Sequence, residues 1–238
     1  MARYRDAHVG GCLEAEVQLR ADGSTVLRST DALRWYPERL TDCLEQWAAE
    51  APGRSFVARR AQGGDWHHVG YAQMLQQVQA VGQALLDAGL SQERPLAILS
   101  GNDVEHLTLA LAAMWAGVPY IPISPAYALV SQDFGKLRYI LSITEPGMVF
   151  ASGPEYARAI AAVVPAEVPV VLTEGRLEGR AVRAFADLAA TRPGAALAEA
   201  HAKVGADTVV KLLFTSGSTR EPKGVITTHR MLCSNQQM

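Results

Sequence analysis

Between residues 74 and 172 the chain alternates short apolar runs with longer amphipathic stretches, and no other feature narrows its fold as far. Met74, Leu75, Val78, Val81, Leu85 and Leu86 recur at helical spacing, and Gly89 supplies the stop. Residues 96–99 are a short apolar run that reads as a buried strand. Asn102 and Glu105 form an Asn-led capping box for a helix that reaches Ala116 and ends at Gly117. Residues 118–123 then read as strand, 131–143 as helix, 148–150 as strand, 155–164 as helix and 168–172 as strand. Strands that alternate with helices return to the same edge each time. The expected fold is therefore α/β, a mainly parallel sheet with helices on both faces.

The flanks are less regular. Residues 1–35 are mixed, with a hairpin expected about Ala21-Asp22-Gly23-Ser24. A helix is predicted from Thr41, its N-cap, to about Glu50, with Leu44, Trp47 and Ala48 on one face. Residues 56–58 and 66–69 read as strands about a Gly63-Gly64-Asp65 turn. Residues 191–205, with Pro193-Gly194 and many alanines, read as a connection. Residues 209–214 begin the next strand. The resulting layout is an N-terminal extension (1–35), a first lobe (36–190), the connection (191–205) and the start of a second lobe (206–238). The last residue falls inside a helix predicted after His229, so the chain reads as the N-terminal part of a longer protein. The remainder of that protein is its first expected partner.

Bulk properties remove several function classes. The 238 residues carry 22 basic and 24 acidic side chains, a net charge of −2, and no basic stripe suited to nucleic acid. Cys12, Cys43 and Cys233 are widely spaced and form no C-x-x-C pair, so neither a disulfide framework nor a zinc site is indicated. No apolar signal core follows the N-terminus. The most apolar stretch, 107–123, is too short to span a bilayer and contains Pro119 and Pro122. A reducing cytoplasm is the simplest compartment, with no membrane span and no metal-ligating set.

The chemistry concentrates at Leu212-Leu213-Phe214-Thr215-Ser216-Gly217-Ser218-Thr219-Arg220-Glu221-Pro222-Lys223-Gly224-Val225. An apolar strand leads into hydroxyls and glycines, then Pro-Lys-Gly and apolar residues again. Short donors, free backbone N–H groups and one mobile cation together make a cradle for phosphate oxygens. It is not a Walker A loop, because Lys223 is followed by Gly224 and β-branched residues that read as strand, not helix. No G-x-G-x-x-G spacing occurs.

This segment resembles the phosphate-binding loop of the adenylate-forming superfamily, [YF]-T-S-G-[ST]-T-G-x-P-K-G-V. Ten of its eleven specified positions are present, and Arg220 replaces a usual glycine. Gly117 to Pro125 resembles that superfamily's "GAxYVPIDP" stretch. Val69 to Leu75 resembles "LTYxEL", and Tyr36 to Pro52 resembles the opening of CoA ligases. The tail from Thr228 to Met238 looks most like the feruloyl-CoA synthetase branch.

The resemblance implies an acyl-CoA synthetase that joins a carboxylic acid to ATP, as its Mg2+ complex, releases pyrophosphate, and passes the acyl group to coenzyme A. An aryl acid such as ferulate is the implied substrate. Lys223 would meet the β- and γ-phosphates as charge moves toward pyrophosphate. Thr215, Ser216, Ser218 and Thr219 would bind phosphate oxygens, while Gly217 and Gly224 would let the backbone approach. His229 stands where the superfamily commonly has histidine, as a cap, a packing residue or a substrate contact. Two other readings stay open: an adenylation domain loading a carrier protein or a fatty acyl-CoA ligase, and a non-catalytic phosphate-binding module. The family's adenine, ribose and acyl-pocket segments and its C-terminal lysine have no counterpart in these 238 residues. Elsewhere the bland reading leads. Trp47, Trp66 and Trp115 are expected in the core, and His67-His68 as one buried and one exposed ring. Tyr120 and Tyr127 are core or rim residues that stand near enough to approach a ligand. The 215–224 loop is expected to be mobile, with Arg220 at an ordinary φ.

Overall fold

The computed structural model describes residues 14–60, 63–215 and 221–238. The chain opens with the expected hairpin, β1 (Ala15–Leu19) and β2 (Thr25–Ser29), paired antiparallel. Asp22 Oδ1 accepts the Ser24 N–H at 2.9 Å, and Gly23 takes φ 82° to close the turn.

Helix α1 (Leu40–Glu50) starts earlier than Thr41. Its N-cap is Arg39, whose N–H is accepted by Asp42 at 3.2 Å while its guanidinium reaches the same carboxylate at 2.7 Å. Thr41 lies one step inside the helix, fully buried, with its hydroxyl unpartnered. Leu44 and Ala48 face the core, but Trp47 is 36% exposed beneath the Arg54 guanidinium. The hairpin β3 (Ser55–Arg60) and β4 (Trp66–Gly70) follows. Here His67 and His68 are both exposed, as is Trp66: the two rings point to opposite faces, and at this end of the hairpin neither face is covered. His68 Nδ1 pairs with Ser55 Oγ at 2.8 Å.

Helix α2 (Tyr71–Asp87) buries Met74, Val78, Val81 and Leu85 as its periodicity requires, and Gly89 takes φ 75° at its end. The parallel alternation then runs through β5 (Leu96–Leu99), α3 (Val104–Ala116), β6 (Tyr120–Ile123), α4 (Ala126–Leu129) and α5 (Gly135–Thr144). It continues through β7 (Met148–Ala151), a 3-10 turn at Pro154–Tyr156, α6 (Ala157–Val163), β8 (Val170–Leu172) and β9 (Arg183–Ala184). The cap of α3 is Asp103, not Asn102: its carboxylate accepts the Val104 N–H at 2.7 Å. Arg59 bridges Asp103 and Glu105 at 3.1 and 3.0 Å, tying the second hairpin to this helix start. Gly117 ends the helix in the left-handed region, φ 70°.

Helix α7 (Phe185–Ala189) leads to α8 (Ala195–Ala202), so the expected connection is itself a helix. Alanines favour helix, and one apolar side chain suffices to dock it: Leu197 is buried, with its Cδ1 3.1 Å from the position of a Cβ on Gly82 of α2. The chain ends with β10 (Val209–Thr215), β11 (Lys223–Thr228) and α9 (His229–Gln237).

One sheet gathers seven strands in the order β11-β10-β6-β5-β7-β8-β9. All neighbours are parallel except β10 and β11. One core packs α2, α3, α7 and α8 on one face; Leu137, Ile140 and Ile160 of α5 and α6 fill the other. β10 pairs with β6 through Lys211 and Tyr120, so β10 and β11 join the seven-stranded sheet at its β6 side. No helix among the described residues is long and apolar enough to cross a membrane.

Candidate functional site

Because β10 runs parallel to β6, its carboxyl end lies at the same sheet edge as the ends of β5, β6 and β7. Open α/β sheets bind ligands at that edge. The antiparallel partner β11 returns from it, with Thr215 opposite Lys223 and Phe214 opposite Gly224. The loop between these pairs is therefore held by two strands at the ligand-binding edge. Ser216, Gly217, Ser218, Thr219 and Arg220 lie outside the described residues, and so do the expectations for loop mobility and for φ at Arg220.

The described shoulders of the loop are informative. Thr215 and Lys223 are both exposed and, as cross-strand partners, project from one face. Pro222 is buried and anchors the return of the chain just before Lys223. Gly224 faces the Phe214 ring: a Cβ there would stand 3.3 Å from two ring carbons. Glycine at this position lets the two strands close over an aromatic ring.

Against the hairpin lies an open cleft of about 550 Å³, walled by Tyr127, Lys136 and Tyr139 and closed by Glu221 and Pro222. Lys136 Nζ stands 5.2 Å from the centre of the Tyr127 ring. The loop that delivers Lys136 is wired locally. Ser131 Oγ accepts the Phe134 N–H at 3.0 Å, and Asp133 Oδ1 accepts the Gly135 N–H at 3.1 Å. Phe134 holds φ 54°, and its buried side chain fixes that conformation. Nothing in the sequence pattern marks Lys136; only the return of α5 to the strand edge brings it beside the hairpin. Tyr127 does line the cleft. Tyr120 does not: it is buried in β6, and burial pushes its phenol up to about 12.

His229 is not at the cleft. It begins α9 behind the hairpin, fully buried, and its Nδ1 accepts the Leu40 N–H at 3.1 Å. The cap of that helix is Thr228, whose hydroxyl accepts the Met231 N–H at 3.4 Å. Cys233, on the same helix, is buried; burial, with Cys43 and Asp42 nearby, raises its thiol to about 11, far from a nucleophile. No group of three or more His, Cys, Asp or Glu side chains among the described residues is placed to hold a metal.

Comparison with known proteins agrees with this arrangement. The AMP-binding enzyme family model matches residues 44–238. A nonribosomal peptide synthetase of Emericella nidulans is 29% identical over 208 residues, 84% of this chain but 2% of that protein. A fatty acyl-adenylate ligase from L. pneumophila, solved with acyl adenylate and pyrophosphate, superposes with TM-score 0.60 and 21% identity over 83% of this chain and 31% of that one. A putative long-chain-fatty-acid CoA ligase from Rhodopseudomonas palustris gives TM-score 0.64 and 21% identity over 81% of this chain and 45% of its own. The chain thus spans only a part of each protein it matches.

Proposed function

The chain belongs to the AMP-binding enzyme family, and from that membership we propose that the protein containing it activates a carboxylic acid with ATP. The substrate carboxylate oxygen attacks the α-phosphorus, the bond to the bridging oxygen breaks, and pyrophosphate leaves with the electron pair. The acyl-adenylate is then opened by a thiol, and AMP departs. The observation that carries this reading is the β10–β11 hairpin, which presents Thr215 and Lys223 side by side at the carboxyl edge of the sheet. Lys223 supplies the positive charge that meets the β- and γ-phosphates as pyrophosphate forms. Thr215, Ser216, Ser218 and Thr219 provide hydroxyls for phosphate oxygens, and Gly217 and Gly224 leave room for the approach. Mg2+ arrives as part of the ATP complex, held by the phosphates.

Coenzyme A is the acceptor we favour, in keeping with the resemblance of residues 36–52 to CoA ligases. An aryl acid such as ferulate is our substrate, on the strength of residues 228–238. Similarity to a peptide synthetase supports a second reading, in which the acyl group is loaded onto a carrier protein. We also place a lobe boundary near residue 206, with the second lobe growing outward from β11. ATP–pyrophosphate exchange with aryl, fatty and amino acids on the longer protein tests the proposal. The reading predicts exchange with an aryl acid and thioester formation with coenzyme A. Exchange with no acid of any class would end it, and transfer only to a carrier protein would select the second reading.

A further inference from the structure

Two histidines lie close enough to feel each other's charge where α9 packs on the rest of the molecule, and their hydrogen bonds assign their protons. His229 Nδ1 accepts the N–H of Leu40, one of the donors that the start of α1 leaves without an intrahelical partner. An imidazole that accepts through Nδ1 is neutral and carries its hydrogen on Nε2. That Nε2 is buried without a close hydrogen-bond partner among the described residues, and the Met114 carbonyl favours a hydrogen on the ring. His201, in the last turn of α8, is the opposite tautomer. Its Nδ1 lies 3.1 Å from the Trp115 carbonyl, which only accepts, so Nδ1 carries the hydrogen. Its ring stacks on Trp115 at 3.9 Å, and its Nε2 is a buried lone pair without a partner among the described residues. One ring has a hydrogen to give and the other a lone pair, and His229 lies in the field of His201.

We propose that His229, backed by His201, is a pH-gated positioning residue: neutral, it pins α9 to α1 and so fixes β11 and Lys223; protonated, it lets them go. The link is short. Among the described residues β11 is an edge strand bonded to β10 alone, and His229 follows its last residue directly. The His229 N–H to the Thr208 carbonyl (3.3 Å), the Arg230 N–H to the Ala206 carbonyl (2.7 Å) and the exposed Arg230–Asp207 pair (2.8 Å) bind α9 to the residues before β10, while the Arg230 side chain also reaches Tyr36 ahead of α1. The functional half of the proposal rests on the role given to Lys223 above.

The groups around the two rings pull in both directions. Asp42 of α1 favours a proton on either ring and Arg39 opposes it, and these two are themselves paired at 2.7 Å. Glu45 of α1 favours a proton on His201, and Cys43 and Cys233 stand nearby as neutral thiols. Helix α3 contributes only the Met114 and Trp115 carbonyls. Burial outweighs them all and holds His229 down at about 4. Since the folded value lies below the unfolded one near 6.5, the latch is whole above pH 6.5. It weakens as pH falls and is lost through about 4.

Ring resonances of 13C,15N-histidine-labelled chain, followed from pH 8 to 3.5, test the tautomer and the titration directly. Amide exchange over residues 223–228 reads the latch. We expect an Nε2–H ring on His229 that stays neutral below pH 5, with β11 exchange rising at least tenfold once it protonates. His229→Asn keeps an acceptor near Nδ1 but cannot titrate, so β11 should stay protected across the range. His229→Leu should expose β11 at every pH while β5 stays protected. An Nδ1–H tautomer, titration between pH 6 and 7, or equal β11 protection in the Asn and Leu variants would overturn the proposal. The wild-type titration decides the matter even where the Leu variant does not fold. In the longer protein, acid should raise the KM for ATP more than that for the acid substrate, and His229→Asn should flatten that rise. An unchanged acid limb in that variant overturns the functional half. If Lys223→Ala leaves exchange of pyrophosphate untouched, the role of Lys223 fails while the exchange protection still measures the latch.

Discussion

Lys223 and Gly224 are neighbours with separable jobs. Lys223 is exposed, so Lys223→Ala should leave thermal stability unchanged. Its effect belongs to the transition state, where phosphate charge develops. We expect kcat and kcat/KM for adenylation in the longer protein to fall together by ~10²–10³-fold. A raised KM for ATP at unchanged kcat would contradict this. Gly224 answers to sterics, because a Cβ there would press on the Phe214 ring. Gly224→Ala should cost about 1 kcal/mol of stability as the ring gives way, read as a lowered melting temperature; an unchanged or raised one would show that the ring yields freely. The hydroxyls, the lysine and the glycines proposed to bind phosphate can be read from the sequence because they are contiguous and ligand chemistry fixes their order. Lys136 and the partner of His229 are not legible. Each lies far along the chain from what it meets, and only the closed sheet brings them together.

At the scale of elements, regular periodicity was readable and local competition was not. Helices α2 and α3 and strands β5 to β8 follow from apolar spacing, because burial on both faces leaves little choice. The helix starts did not follow. Thr41 and Asn102 are good caps by type, yet Arg39 and Asp103 hold the positions, each with a carboxylate supplying the hydrogen bond. Helix α8 reads as a connection in the sequence because Pro193-Gly194 and a run of alanines leave Leu197 as its one large apolar side chain. Leu197→Ala should cost about 2–5 kcal/mol if that helix is docked as described. A loss under half a kcal/mol by urea unfolding would mean that residues 195–202 are a linker after all. Strand β11 invites a different test. It is an edge strand, with Val225 47% and Ile226 59% exposed, the kind of edge that pairs with other chains. Ile226→Lys should reduce self-association of the 238-residue chain in sedimentation; an unchanged association would place the contact elsewhere.

The whole molecule is a sheet whose ligand-binding edge is half furnished. On the proposed function the hairpin would supply groups for the phosphate end of a nucleotide; the cleft beside it is open and walled on one side by α4 and α5. Adenylation, however, demands that the α-phosphorus and the substrate carboxylate be held within reacting distance at the same moment. That positioning is worth several powers of ten in rate. The chain matches 31% and 45% of the length of two ligases of similar fold, which leaves most of their residues without counterparts here. The 238-residue chain, incubated with ATP, Mg2+ and aryl or fatty acids, should therefore release no pyrophosphate above background. Weak phosphate binding at the hairpin is compatible with that outcome, because binding needs one wall and catalysis needs two. Release that Lys223→Ala abolishes would show that the hairpin, the cleft and its lining suffice. The site would then have to be built from α4 and α5, with Lys136 and Tyr127 as the first residues to replace.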